Sequence, residues 1–306
     1  MKRLVKNIER REVTMDCIKI DAHVHLWDVQ QGIVDGKPVI GLGNGLADFG
    51  GETRQMMPPY MDDNRNTAPR LIANMNYSKV NGAVITQEYI DGNQDSYLLS
   101  SKAKYKDRLK ICSLYKENAD FNTEGFDGIK ICAGRLMDQD LTSHMAVFKK
   151  AQELGMFISI DMADGDLQVD SLQAVIDSCP DLRIAIGHFG MVTTKGWESQ
   201  IALARNKNVY IESGGLTWLF HKEFYPYPSA IDAIITARDI CGMDKLMWGS
   251  DYPRTMTDIT YIMAVRFIEE TNKLTDEEKR AFLGGNAMRF YGFDFKEPLP
   301  DIKNML

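Results

Sequence analysis

Along almost its whole length, this 306-residue chain alternates short apolar, β-branched runs with longer amphipathic stretches. Apolar runs that end in polar or glycine residues fall at 17–24, 82–87, 109–115, 128–132, 156–161, 183–187, 209–213 and 245–249. Between them, segments such as 141–154, 167–178 and 231–240 place apolar residues three and four apart, which gives a helix one face to bury. Strands that alternate with helices in this way pair in parallel, because a parallel neighbour needs a crossover long enough to hold a helix. Eight strands is the count of a (β/α)8 TIM barrel, and no Pro-, Ser- or Gly-rich linker separates two cores. The expected organisation is one α/β barrel domain over 17–298, with residues 1–16 and 299–306 as peripheral tails.

Composition narrows the function. The chain is 44% hydrophobic and 26% charged, as in an ordinary globular protein, and carries 36 basic against 43 acidic residues. With a net charge of −7 and no basic tract, nucleic acid is not an expected partner. No apolar run is long enough for a membrane span, and the charged start lacks the apolar core of a signal peptide, so a cytoplasmic location is expected. Cys17, Cys112, Cys132, Cys179 and Cys241 form no CxxC pair, which points to reduced thiols. The expected partner is a small-molecule substrate, with self-association into a homo-oligomer left open.

Two places depart from the repeat. Residues 28–65, rich in Gly, Met, Pro and Asp, make far too long a connection after the first strand, and a loop of that length is read as an active-site lid, against a disordered insertion. Near the end, Thr275 followed by Glu278 predicts a capping box, Gly284-Gly285 is expected to stop that helix, and another is expected from Asn286.

Barrel enzymes place their chemistry where strands end at the C-terminal face, so the polar residues closing each strand are the candidates. The first strand ends in His23-Val24-His25, and residues two apart share a strand face, so both imidazoles can enter the mouth to hold a metal or polarise a substrate. The sixth ends in His188, flanked by Gly187 and Gly190. The eighth ends in Gly249-Ser250-Asp251, whose carboxylate can bind a metal or take a proton from water. Lys130 either points into the mouth to pair with a substrate carboxylate or leans out of its strand. Gln87 and Asp161 close the second and fifth strands as substrate-binding or capping groups. His144 is read as a surface helix residue and His221 as a weak candidate in a mobile loop.

These residues lie in four ordered motifs: Ile20-Asp21-Ala22-His23-Val24-His25-Leu26-Trp27-Asp28, Gly187-His188-Phe189-Gly190, Gly249-Ser250-Asp251-Tyr252-Pro253 and Gly285-Asn286-Ala287-Met288-Arg289-Phe290-Tyr291-Gly292. Together they resemble the amidohydrolase superfamily, in its amidohydrolase-related (amidohydrolase 2) branch. The His-Leu-Trp-Asp ending, the closing Asn-Ala-Met-Arg-Phe-Tyr, Gln87 and Asp95-Ser96-Tyr97-Leu98 look most similar to the group of 2-pyrone-4,6-dicarboxylate and sugar-acid lactonases. The resemblance implies a catalytic set of His23, His25, His188 and Asp251, and hydrolysis of a small acidic or polyhydroxylated lactone by water that Asp251 activates. A metal-dependent decarboxylase of the same family is the alternative, and a catalytically silent binding barrel is the third reading. One departure matters: metal-binding relatives usually end the fifth strand in a histidine, whereas this chain offers Asp161. The resemblance therefore leaves two cases open, one divalent ion, zinc first, on His23, His25 and Asp251, or catalysis without a metal.

Overall fold

The computed structural model describes residues 15–303, so most of the expected N-terminal tail and the last three residues of the C-terminal one lie outside the described residues. Eight parallel strands form the barrel: β1 (Ile20–His25), then, after four short strands of an insertion, β6 (Gly82–Thr86), β7 (Leu109–Leu114), β8 (Gly128–Cys132), β9 (Phe157–Asp161), β10 (Arg183–Ile186), β11 (Val209–Glu212) and β12 (Leu246–Met247). They pair in chain order, and seven fall within the stretches expected from the sequence, while β1 runs one residue past its expected end, to His25. The ring closes between its first and last members through Ala22 N–H to the Trp248 carbonyl (2.9 Å), Asp251 N–H to His23 (2.9 Å) and His25 N–H to Tyr252 (2.8 Å).

Alternation along the strands decides what enters the barrel. In β9, Ile158 and Ile160 face the helices while Phe157 packs inside with Ile20, Ala22, Val84 and Met247. A Cβ at Gly128 would lie 2.4 Å from the Phe157 ring, so glycine there makes room for this plug. β1 does not keep one phase. Ile20 and Ala22 belong to the inner cluster, Val24 belongs to the outer one, and the register with β6 shifts between Asp21 and Val24. This bulge lets β1 fill the barrel floor with aliphatic groups and still turn His23 and His25 into the mouth.

The insertion is ordered. It forms an antiparallel sheet, β2 (Ile33–Val34), β3 (Lys37–Gly43), β4 (Leu46–Phe49) and β5 (Thr53–Gln55), standing on Trp27, Met57 and Met61. Its first two turns are Asp35-Gly36 and Asn44-Gly45, all four residues at positive φ, the pairings that tight hairpins favour.

The capping box at Thr275 and Glu278 is present. The expected stop at Gly284-Gly285 is not. A π-helical turn, Ala281–Gly285, carries the helix directly into Asn286–Tyr291. Gly284 serves close approach instead, since a Cβ there would lie 2.1 Å from the Ile18 carbonyl oxygen. His144 also departs from expectation: it is buried, with Nδ1 3.1 Å from the Tyr115 hydroxyl and Nε2 3.0 Å from the Asp138 carbonyl, and these contacts replace water. All five cysteines carry free thiols.

Candidate active site

At the mouth, three histidines are held by the same device. Nδ1 of His23 lies 2.7 Å from Glu212 Oε1, Nδ1 of His25 lies 2.8 Å from Asp91 Oδ2, and Nδ1 of His188 lies 2.9 Å from the Gly214 carbonyl. Each acceptor draws the ring proton to Nδ1 and leaves Nε2 for the site. The Nε2 atoms of His23 and His25 are 3.1 Å apart, and Asp251 Oδ1 lies 3.3 Å from that of His25 and 3.8 Å from that of His23. Two nitrogens bound tetrahedrally to one zinc would sit about 3.3 Å apart, so these three donor atoms fit a single small divalent cation.

Asp251 sits just beyond β12 at φ 59°, a left-handed conformation that a non-glycine residue adopts only when its surroundings impose it. They do so here. Its N–H is fixed by the His23 carbonyl, the buried Asp21 carboxylate takes bonds from the Ser250 N–H and hydroxyl, and Trp218 Nε1 donates to Asp251 Oδ2 at 2.6 Å. With Oδ2 occupied by the indole, Oδ1 is the oxygen turned to the histidines. His188 and Phe189 are likewise left-handed, at φ 51° and 52°.

Charge is settled by pairing against burial. Burial pushes His25 down, but the Asp91 and Asp251 carboxylates outweigh it and hold His25 well above the usual histidine range. His188 is raised to about 9, because Asp161 overcomes the same burial. For His23 burial wins over Glu212, and its pKa falls. Asp251 is lowered despite burial by the histidines around it and stays ionised. Asp21, buried among neutral donors, is pushed up to about 7.

The structure brings His23, His25, His188 and Asp251 together, with Asp161 at their edge, its Oδ2 3.6 Å from His188 Nε2. Lys130 points inward, and its Nζ lies 2.6 Å from Asp161 Oδ1. Burial opposes both charges, yet their attraction raises the lysine pKa and lowers the carboxyl pKa. Gln87 is not brought to the cluster. Its amide donates to Asp95 and the Cys112 carbonyl and accepts from Gln94 N–H. His221 is exposed, bonded to the Trp218 carbonyl. Sequence reasoning missed Glu212, Asp91 and Trp218. Glu212 was findable, since it closes the seventh strand as Asp161 closes the fifth. Asp91 lies in a turn and Trp218 in a single helical turn, Leu216–Leu219, too short to carry a periodic signal.

A cavity of about 490 Å³ opens beside the cluster, lined by Glu88, Arg135, Asp161, Met162, His188 and Gln200, within the size range of small-molecule sites. Another, of about 240 Å³, lies by Lys19, Lys79 and Glu269 at the other end of the barrel, where no histidine lines it.

A family model described as amidohydrolase matches residues 20–293. The chain belongs to the amidohydrolase family. It is therefore an enzyme of a family whose solved members share this barrel. This amidohydrolase is similar to one from Burkholderia multivorans with bound zinc (15% identity, 90% of this chain and 100% of that one covered, TM-score 0.66). It is similar to a probable 2-pyrone-4,6-dicarboxylic acid hydrolase from Acinetobacter baumannii with citric acid bound (20% identity, 91% and 100% covered, TM-score 0.66). It also resembles a 5-carboxyvanillate decarboxylase from Novosphingobium aromaticivorans complexed with manganese (17% identity, 73% and 79% covered, TM-score 0.50). A search of curated protein sequences gave no significant match. Among the described residues no helix is long and apolar enough to cross a membrane.

Proposed function

We propose that this amidohydrolase opens a small lactone, one bearing a carboxylate or several hydroxyls, by adding water across the ring ester. The observation that carries this reading is the convergence of the His23 and His25 Nε2 atoms with one ionised carboxylate, Asp251, next to His188 and the cavity that His188 lines. Asp251 takes a proton from water as the water oxygen bonds to the lactone carbonyl carbon. Negative charge develops on the carbonyl oxygen, where His188, held toward its charged form, stabilises it. The carbon–oxygen bond of the ring then breaks, and the proton passes to the departing alkoxide to give a hydroxy acid. His23, His25 and Asp251 would hold a divalent cation, zinc first, and such an ion supplies Lewis acidity toward a carbonyl oxygen.

Substrate groups away from the reacting carbon would meet the cavity wall, where Glu88 is tied to Arg135 and Gln200 bonds the Ala163 carbonyl. The β2–β5 sheet is the proposed lid. Its Gln55 carbonyl accepts from Arg254, whose guanidinium lies 5.6 Å from the Trp218 ring centre, and Trp218 in turn holds Asp251. The test is a lactone panel read by acid release, run beside metal analysis of the purified protein. Ring opening of at least one lactone, lost in Asp251→Asn, supports the reading. Carbon dioxide release from an aromatic acid without lactone opening would replace it with a decarboxylase.

A further inference from the structure

Glu212 belongs to none of the four motifs, yet two of them are shaped around it. It is fully buried at the end of β11, and three N–H groups aim at its carboxylate: Nδ1 of His23 on Oε1 at 2.7 Å, the His188 backbone N–H on Oε1 at 3.2 Å, and the Gly214 N–H on Oε2 at 2.6 Å. The Gly214 carbonyl in turn accepts from Nδ1 of His188. Three glycines, one after each of β10, β11 and β12, close around the group. A Cβ at Gly187 would lie 2.1 Å from Asp161 Oδ1 and 2.8 Å from Glu212 Oε1, one at Gly214 would lie 2.9 Å from Glu212 Oε2 and 2.9 Å from His23 Cγ, and one at Gly249 would lie 2.8 Å from Glu212 Oε2 and 2.9 Å from His23 Cβ. These separations leave no room for a methyl group.

We propose that Glu212 is the positioning residue that orients both His23 and His188, and that Gly249 is a glycine because the Glu212 carboxylate and His23 fill the space a side chain would need. This rests on the reading that those two histidines carry the chemistry. Hydrogen-bond inventory shows why a carboxylate is required. Both oxygens must accept, whereas glutamine offers one acceptor and one donor. An amide turned to satisfy His23 and His188 would point its NH₂ at the Gly214 N–H, and the reverse orientation would point it at His23. Displacement of Gly214 passes straight to His188 through its carbonyl. One carboxylate thus fixes two rings from different strands, so that both present Nε2 to the mouth.

The experiment is Glu212→Gln, with Gly249→Ala as the second variant, read by nitrogen–proton NMR of the histidine ring protons at fixed pH, by zinc affinity against a chromophoric chelator, and by kcat and KM on the panel lactone. Wild type should show a hydrogen-bonded Nδ1 proton at both His23 and His188. In Glu212→Gln at least one should lose that hydrogen-bonded proton, zinc affinity should fall about 10–100-fold, and the loss in turnover should sit in kcat rather than KM. Both protons kept, with zinc affinity and kcat unchanged, would overturn the proposal, and Gly249→Ala gives the same decision if the glutamine variant does not fold. A wild-type protein that binds no zinc and opens no lactone would sink the functional reading, while the Nδ1 protons would still decide the role of Glu212.

Discussion

On the side of the mouth built by β1, β11 and β12, polar atoms converge on one point: two imidazole Nε2 atoms 3.1 Å apart and the Asp251 Oδ1 within 3.8 Å of both. On the side built by β6, β8 and β9, the polar groups satisfy one another. Gln87 makes three internal bonds, and Lys130 is neutralised by Asp161. Both sides end strands, both are rich in chemistry-bearing residue types, and at sequence level they look alike. What separates them is where the partners are. A group whose bonds close within the protein is wall, and a group held from behind with its front atom bare is equipped to act.

The largest effect that would break this contrast is at Asp251. Asp251→Asn should cut kcat by about 10²–10⁴-fold with the fold intact, because the amide keeps the Trp218 contact but takes no proton. Turnover near wild type in a stopped assay would remove Asp251 from the mechanism. Lys130→Met acts on the other side and should lower stability by about 3 kcal/mol, near the low end for a stranded buried charge because the Asp161 side chain is 18% exposed. Denaturant melts should show most of that loss recovered in the Lys130→Met, Asp161→Leu double variant.

Smaller effects sharpen the line between wall and site. Gln87→Met should cost about 1–3 kcal/mol in denaturant melts, since it strands the Gln94 N–H and the Cys112 carbonyl, while kcat stays put. A large kcat loss in a stable Gln87 variant would move Gln87 into the site. Replacing residues 36–54 by a short flexible link should raise KM by about tenfold, equivalent to about 1.4 kcal/mol of binding, with the barrel still folded. Unchanged steady-state kinetics would make the β2–β5 sheet a decoration.

The barrel was legible in the sequence because burial imposes a period, and a period survives without tertiary information. His23, His25, His188 and Asp251 were legible because each closes a strand. The fate of Lys130 was not, since an inward strand position says nothing of whether a carboxylate waits 2.6 Å away on the next strand. The phase change in β1 was equally hidden: Ala22 and His23 both face inward only because a bulge separates them. The hairpins of the insertion, by contrast, were signalled by Asp35-Gly36 and Asn44-Gly45 and were passed over under the label of a long loop. Gly284-Gly285 misled because glycine marks close approach as well as a helix end, and here Ile18 makes the approach.

Two overlapping donor sets share His23: one with His25 and Asp251, the other with Asp161 and His188. The contrast between the two sides of the mouth predicts that a cation would take the first set, because Lys130 already neutralises Asp161. The direct test is zinc content after loading and exhaustive dialysis, measured on wild type, Asp251→Asn and the Lys130→Met, Asp161→Leu double variant. The account predicts about one zinc per chain in wild type and in the double variant, and loss of the ion from Asp251→Asn. Zinc kept by Asp251→Asn but lost from the double variant would contradict it.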